Sequence, residues 1–164
     1  MKRKPIDPKS VFDLACKFAA AEQHLRHKSN PNAGYMASPS MVMSAFAIEL
    51  FLKCLLLLEG KEIDRTHLLN VLYQKLSRSQ RRRIEKSWDK EARPKIIQLN
   101  QRFGYDHPSD LPNALVTCGQ TFRDTRYGYE DPDRQVFYLG DLPLILWRAI
   151  VAVRPEWVYA RQNE

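Results

Sequence analysis

Residues 122–130, FRDTRYGYE, put two arginines, two tyrosines and a glutamate into nine positions. A guanidinium binds carboxylate or phosphate oxygens through paired hydrogen bonds, and a tyrosine hydroxyl can extend such a network. On a helix, Arg123, Arg126, Tyr127 and Glu130 share one face at spacings of three and four, while Phe122 and Tyr129 lean toward the core side. Two chemistries fit. The preferred one is an internal fastening, in which Arg123 or Arg126 neutralises a buried acid and Tyr127 or Tyr129 completes the network. The other is a grip on RNA or a nucleotide by Arg123, Arg126 and Tyr127.

The acid in question is Glu49, which lies in the most apolar stretch of the chain, 41–58. A buried carboxylate stays charged only with a partner. Lys53, four residues on in the favourable acid-before-base order, is one candidate, and an arginine of 122–130 is the other.

A second concentration of chemistry is SRSQRRRIEK at 77–86. Arg81, Arg82 and Arg83 cannot all face a core, so the stretch is either a solvated helical face or a phosphate contact whose affinity falls steeply with salt. The charge distribution marks the same region. The chain of 164 residues has 26 Lys and Arg against 19 Asp and Glu, a formal +7, and residues 75–95 alone hold nine basic side chains against three acidic ones. The first 28 residues hold seven against three, which leaves the remainder slightly negative. Localised positive charge suits an anionic partner without requiring one.

Length and a hydrophobic content of 44% are those of a single domain. Cys16, Cys54 and Cys118 are odd in number, far apart and set in apolar helical patterns, as expected of buried reduced thiols rather than a zinc site. MKRKPIDPKS has no apolar region behind its basic start, and 41–58 is interrupted by Glu49 and Lys53. No signal peptide or membrane span is expected, and the cytoplasm is the expected compartment. No cofactor is called for.

Helix punctuation positions these residues. Asp7 with Pro8 starts a first helix ending near His27, and SNPNAG at 29–34 is a loop. Ser38 with Pro39 starts a long central helix that Gly60 closes. Asp64 and Thr66 cap a third carrying Leu68, Leu69, Val71, Leu72 and Leu76. Ser77 or Ser79 opens the basic helix, which runs to residue 92, where Arg93-Pro94 biases the chain away from helix. Ile96, Ile97, Leu99 and Phe103 suggest a short amphipathic piece. Asp110 with Pro112 opens a helix that presents Leu111, Leu115, Cys118 and Phe122 on one face and stops at Gly128. After a turn-rich stretch and an extended 136–139, Asp141 with Pro143 starts a final helix to Val153. The expected fold is all-α, an antiparallel up-and-down bundle of four to five main helices plus short ones.

The order AFAIELFLKCLLLLEGK (45–61), THLLNVLYQKLS (66–77) and FRDTRYGYE (122–130) resembles the HEPN superfamily. In that group a long helix with the pattern Ala-x-x-x-Glu-Leu-x-Leu-Lys and a closing Gly precedes a His-Leu-x-x-Leu helix, and some branches carry Arg-Tyr-x-Tyr-Glu later. The resemblance implies a helical bundle, frequent homodimers and, in many members, a metal-independent ribonuclease whose active site forms across the dimer interface. Other members are non-catalytic binding or regulatory modules. A protein partner in a stress or defence system is a further implication.

The nuclease pattern of the group, Arg followed after four to six residues by His, has one match here, Arg102 and His107 in RFGYDH. In such a pair the guanidinium holds the scissile phosphate while an imidazole with a pKa of about 6.5 takes the ribose 2′-hydroxyl proton. Four His and fifteen Arg yield about one such match by chance, and this one precedes the 122–130 segment within a loop. Arg102 and His107 are therefore either catalytic or surface loop residues. No histidine follows His107 to combine with Arg123 or Arg126, which tilts the balance toward the non-catalytic class. His67, at a helix start that disfavours a charged imidazole, reads as structural.

Overall fold

Asp7 accepts hydrogen bonds from the backbone N–H groups of Lys9 (3.2 Å) and Ser10 (2.9 Å), and Pro8 occupies the first turn of α1 (Pro8–Arg26). These contacts satisfy two of the otherwise unpaired N–H groups of the helix start. The computed structural model describes residues 5–27, 31–32, 37–63, 65–119 and 139–159, and among them the chain is all-α, with eight helices and no strand.

α2 (Ala37–Leu58) is already helical at Ala37, so Ser38 and Pro39 lie inside its first turn and Ser38 is not the cap. Its end follows the sequence. Gly60 takes φ 71°, with its N–H on the Leu57 carbonyl and the Lys61 N–H on the Leu56 carbonyl, each at 3.0 Å. This double closure needs a left-handed residue just past the helix.

α1 and α2 run antiparallel. Phe12 meets Phe51 at 6.1 Å between ring centroids, Phe18 meets Phe46 at 5.1 Å, and the Cys54 thiol lies 3.5 Å from the Pro8 carbonyl. α2 is the hub of the core, packing on α1, on α3 (Leu69–Lys75) and on α7 (Leu142–Val151), and burying Ala47, Ile48, Phe51, Leu52, Cys54, Leu55 and Leu56. By length and hydropathy α2 could cross a bilayer, and half of its most apolar window is buried inside the protein.

α3 (Leu69–Lys75) starts later than the caps suggested. The Thr66 hydroxyl accepts from the Leu68 N–H at 3.2 Å, which makes a local turn ahead of the helix, and Leu68 stays exposed. Asp64 lies outside the described residues. α4 (Arg78–Glu91) is capped by Ser77, whose hydroxyl accepts from Gln80 N–H at 3.2 Å.

Only Ala92 separates α4 from α5 (Arg93–Phe103). The expected break at Arg93-Pro94 is thus a helix start: proline in a first turn lacks an N–H that would have had no partner there. Of the apolar residues of α5 only Ile96 is buried; Ile97, Leu99 and Phe103 face solvent, contrary to the amphipathic expectation.

Asp110 caps α6 (Leu111–Cys118) by accepting from the Asn113 N–H at 3.0 Å. The helix closes at Cys118, not at Gly128, and the expected face residue Phe122 lies outside the described residues, as do 136–138 of the predicted extended piece. α7 (Leu142–Val151) ends two residues early. Asp141, at its cap position, makes no capping bond and instead binds Lys95 of α5 at 2.7 Å. α8 (Glu156–Tyr159) was not expected; it brings the Trp157 ring to 5.2 Å from Phe12.

Candidate nucleic-acid interface

α4 divides cleanly into two faces. Gln80, Ile84 and Trp88, four apart, are buried, and the Trp88 indole N–H donates to the Ser109 carbonyl at 2.9 Å. Opposite them, Arg78, Arg82, Lys86 and Lys90 also repeat every fourth residue, and all four are exposed, with Arg83 beside them. Successive members of this stripe stand about 6 Å apart along the axis.

The carboxylates of α4 are directed elsewhere. Glu85 accepts from the Tyr73 hydroxyl at 2.7 Å, Asp89 pairs with Arg93 at 3.3 Å, and Glu91 pairs with Arg148 of α7 at 2.7 Å. Burial, and then the bond to Glu85, push the Tyr73 hydroxyl far up, so it remains a neutral donor. Among the described residues none of the five exposed cations has an acidic partner within 4.0 Å. Like charges four apart cost a helix a few tenths of a kcal/mol per pair, roughly 0.2–0.5. The stripe therefore weakens α4, with no compensating ion pair among the described residues.

Between α4 and α7 a groove of about 340 Å³ is lined by Arg83, Lys86, Ser87 and Arg148, with Ile84, Ile145 and Ala149 on its floor. Arg83, Lys86 and Ser87 offer donors suited to anionic oxygens, while Arg148 is already engaged by Glu91. Arg81 departs from its neighbours. It is half-buried, its carbonyl accepts from the Tyr73 hydroxyl at 3.3 Å, and its Nε is buried without a hydrogen-bond partner. Of the three consecutive arginines, Arg82 and Arg83 are thus the exposed ones.

Glu49 is 8% exposed. Its carboxylate receives Lys53 Nζ at 2.6 Å, and Nδ1 of His67 lies 3.1 Å from both of its oxygens. The arginines proposed for this role, Arg123 and Arg126, lie outside the described residues, as do Tyr127, Tyr129 and Glu130. His67 is the partner that sequence reasoning missed. Its signal was a lone acid in an apolar helix with a histidine waiting at the entry to the next one.

Arg102 sits in the last turn of α5 and His107 in the loop beyond Gly104, whose φ of 68° ends the helix. No hydrogen bond joins the two. Contact between them runs through rings: the Arg102 guanidinium lies 5.2 Å from the Phe103 centroid, Phe103 stacks on Tyr105 at 5.7 Å, and Tyr105 meets His107 at 5.1 Å. Among the described residues no group of three His, Cys, Asp or Glu side chains is placed to hold a metal ion.

Among the described residues, fold and site define an all-α chain whose α4 carries a cationic face without acidic partners. No family model, curated protein or solved structure matches the chain.

Proposed function

We propose that this protein is a HEPN-like helical domain that engages RNA through the exposed face of α4. The observation that carries the reading is the stripe Arg78, Arg82, Lys86 and Lys90, with Arg83 beside it, from which every α4 carboxylate has been drawn away. Its axial spacing is comparable with that of successive phosphates along a strand, so one helix face can meet several phosphates at once. The cation-lined groove beside it extends the same surface onto α7.

Equilibrium binding of a generic single-stranded RNA across a salt series tests this. Four to five phosphate contacts predict a slope of about −3 for log affinity against log salt. Replacing Arg82 and Lys86 together by Glu should abolish binding; no binding by the wild type, or binding insensitive to salt, would refute the proposal.

Within this reading, catalysis by Arg102 and His107 and simple binding are separate outcomes. The ring contacts that hold the guanidinium and the imidazole at opposite ends of a chain of aromatic side chains favour binding without cleavage. Incubation with RNA in the presence of a chelator, comparing wild type with His107→Ala, is expected to show intact RNA in both; cleavage lost in the variant would make the protein a metal-independent ribonuclease. The homodimer implied by the HEPN resemblance is read directly from the mass in light scattering. A docking role toward another protein is the second reading, favoured by the exposed Ile97 and Leu99 of α5.

A further inference from the structure

The end of α5 presents a ladder of side chains that the cationic stripe does not explain. Phe103 and Tyr105 are 52% and 43% exposed, and their rings stack at 27° between planes. The Tyr105 and His107 rings follow at 44°, and the Arg102 guanidinium covers the other end over Phe103. Large aromatic rings left in water gain nothing from core burial.

This ladder is held in shape from behind. Gly104 turns the chain out of the helix in a left-handed conformation. The Asn100 amide then clamps the returning loop: its Nδ2 donates to the His107 carbonyl at 2.8 Å, and its Oδ1 accepts from the His107 N–H at 3.2 Å. Two residues further, the Trp88 indole ties Ser109 to α4, the helix that carries the stripe. Phe103 thus ends α5, and the loop carrying Tyr105 and His107 is tied back to α5 through Asn100 and to the buried face of α4 through Trp88.

From this geometry we infer that Phe103, Tyr105 and His107, with Arg102, form a base-stacking platform for single-stranded RNA. The inference rests on the RNA-engaging reading above and adds the subsite that takes bases, where α4 takes phosphates. Nucleobases offer π-faces to aromatic rings whatever their sequence, and a guanidinium plane stacks equally well. Duplex RNA, whose bases are already stacked, would gain nothing from the platform.

The test compares a single-stranded RNA with an abasic strand of equal length, using wild type, Phe103→Leu, Tyr105→Leu and the Arg82→Glu/Lys86→Glu pair. Leucine keeps an apolar surface and removes the π-face, and the exposure of both rings leaves folding intact, which thermal melting verifies. Wild type should bind the RNA more tightly than the abasic strand, and each leucine variant should lose about tenfold toward RNA alone, with an unchanged salt slope. RNA affinity unchanged in both leucine variants would overturn the platform while the α4 reading stands. Equal losses on both strands, or a fall in light-scattering mass that identifies the rings as a contact between copies, would overturn it too. Absence of wild-type binding to either strand would remove both proposals together.

Discussion

Nδ1 of His67 lies 3.1 Å from each carboxylate oxygen of Glu49, so a residue at the entry to α3 caps the charge at the centre of α2. Lys53 reaches the same carboxylate from one turn along the helix, and both the Glu49 and Lys53 side chains are nearly withdrawn from water. A buried ion pair stabilises little by its presence and costs much when half of it is removed. Glu49→Ala should therefore destabilise by about 3 kcal/mol, by leaving Lys53 without a counter-charge. His67, whose side chain is 74% exposed, should cost about 0.5 kcal/mol or less when replaced by Ala. Urea unfolding of the two variants measures both; equal effects would mean that the trio is not organised around the carboxylate.

Glu59 fastens the end of α2 to the start of α4 by accepting from the Ser77 N–H at 3.0 Å and pairing with Lys61 at 2.7 Å. Burial pushes its pKa up, but the bonds from Lys61 and Ser77 prevail and hold it below the ordinary 4.5. Because the folded value is the lower one, this contribution is complete above pH 4.5 and is lost as pH falls through the folded value. Glu59→Gln should lower stability at pH 7 by about 1 kcal/mol and flatten the acid limb of the stability profile. Melting temperatures from pH 7 down to 3 would show it, and an unchanged acid limb would count against this fastening.

At Gly60 a Cβ would meet nothing within 4 Å, yet the backbone φ is 71°. Gly60→Ala therefore isolates conformational strain from packing, and the expected loss is about 1 kcal/mol. A neutral result would mean that the end of α2 relaxes out of the left-handed turn.

The cationic stripe predicts opposite effects on stability and binding. Lys86→Glu should raise the melting temperature, since it replaces two repulsive pairs with Arg82 and Lys90 by attractive ones, a gain of roughly 0.5–1 kcal/mol. The same change should weaken RNA binding severalfold. If both quantities fell together, the loss of binding would reflect damage to the fold rather than a lost phosphate contact.

Cys54, inside the α1–α2 contact, has its thiol pushed up to about 12, first by burial and then by nearby negative groups. The thiolate is the reactive form, so at pH 8 modification should proceed only through unfolding. Reaction rates with a thiol reagent, localised to this residue by mass spectrometry, should track denaturant concentration; fast labelling of the native protein would contradict the packing described.

Much of the helical framework was legible from local signals. Asp7-Pro8, Ser77, Asp110-Pro112 and Gly60 act on backbone groups within a few residues of themselves, so spacing alone locates them. The misreadings share a cause. Arg93-Pro94 and Asp141 carry the same chemistry whether they begin a helix, end one or serve another element, and only the neighbouring structure selects. Asp141 lost its capping role to Lys95, 46 residues away in the chain, and Thr66 closed a turn that delayed α3. For the candidate site, the basic content of 75–95 was visible, but not that Arg81 turns inward while Arg78, Lys86 and Lys90 join Arg82 and Arg83 on the exposed face.

The amino-acid order by itself determined that the chain is helical, where α1, α4 and α6 begin, and that Glu49 required a partner, because periodicity, capping and the cost of a buried charge are properties of a short segment. The tertiary structure decided which partner answered and which cations remained unanswered. Those outcomes depend on packing that brings His67 to Glu49, Arg148 to Glu91 and Ser109 to Trp88 across 18, 57 and 21 residues of chain, distances over which no local propensity acts.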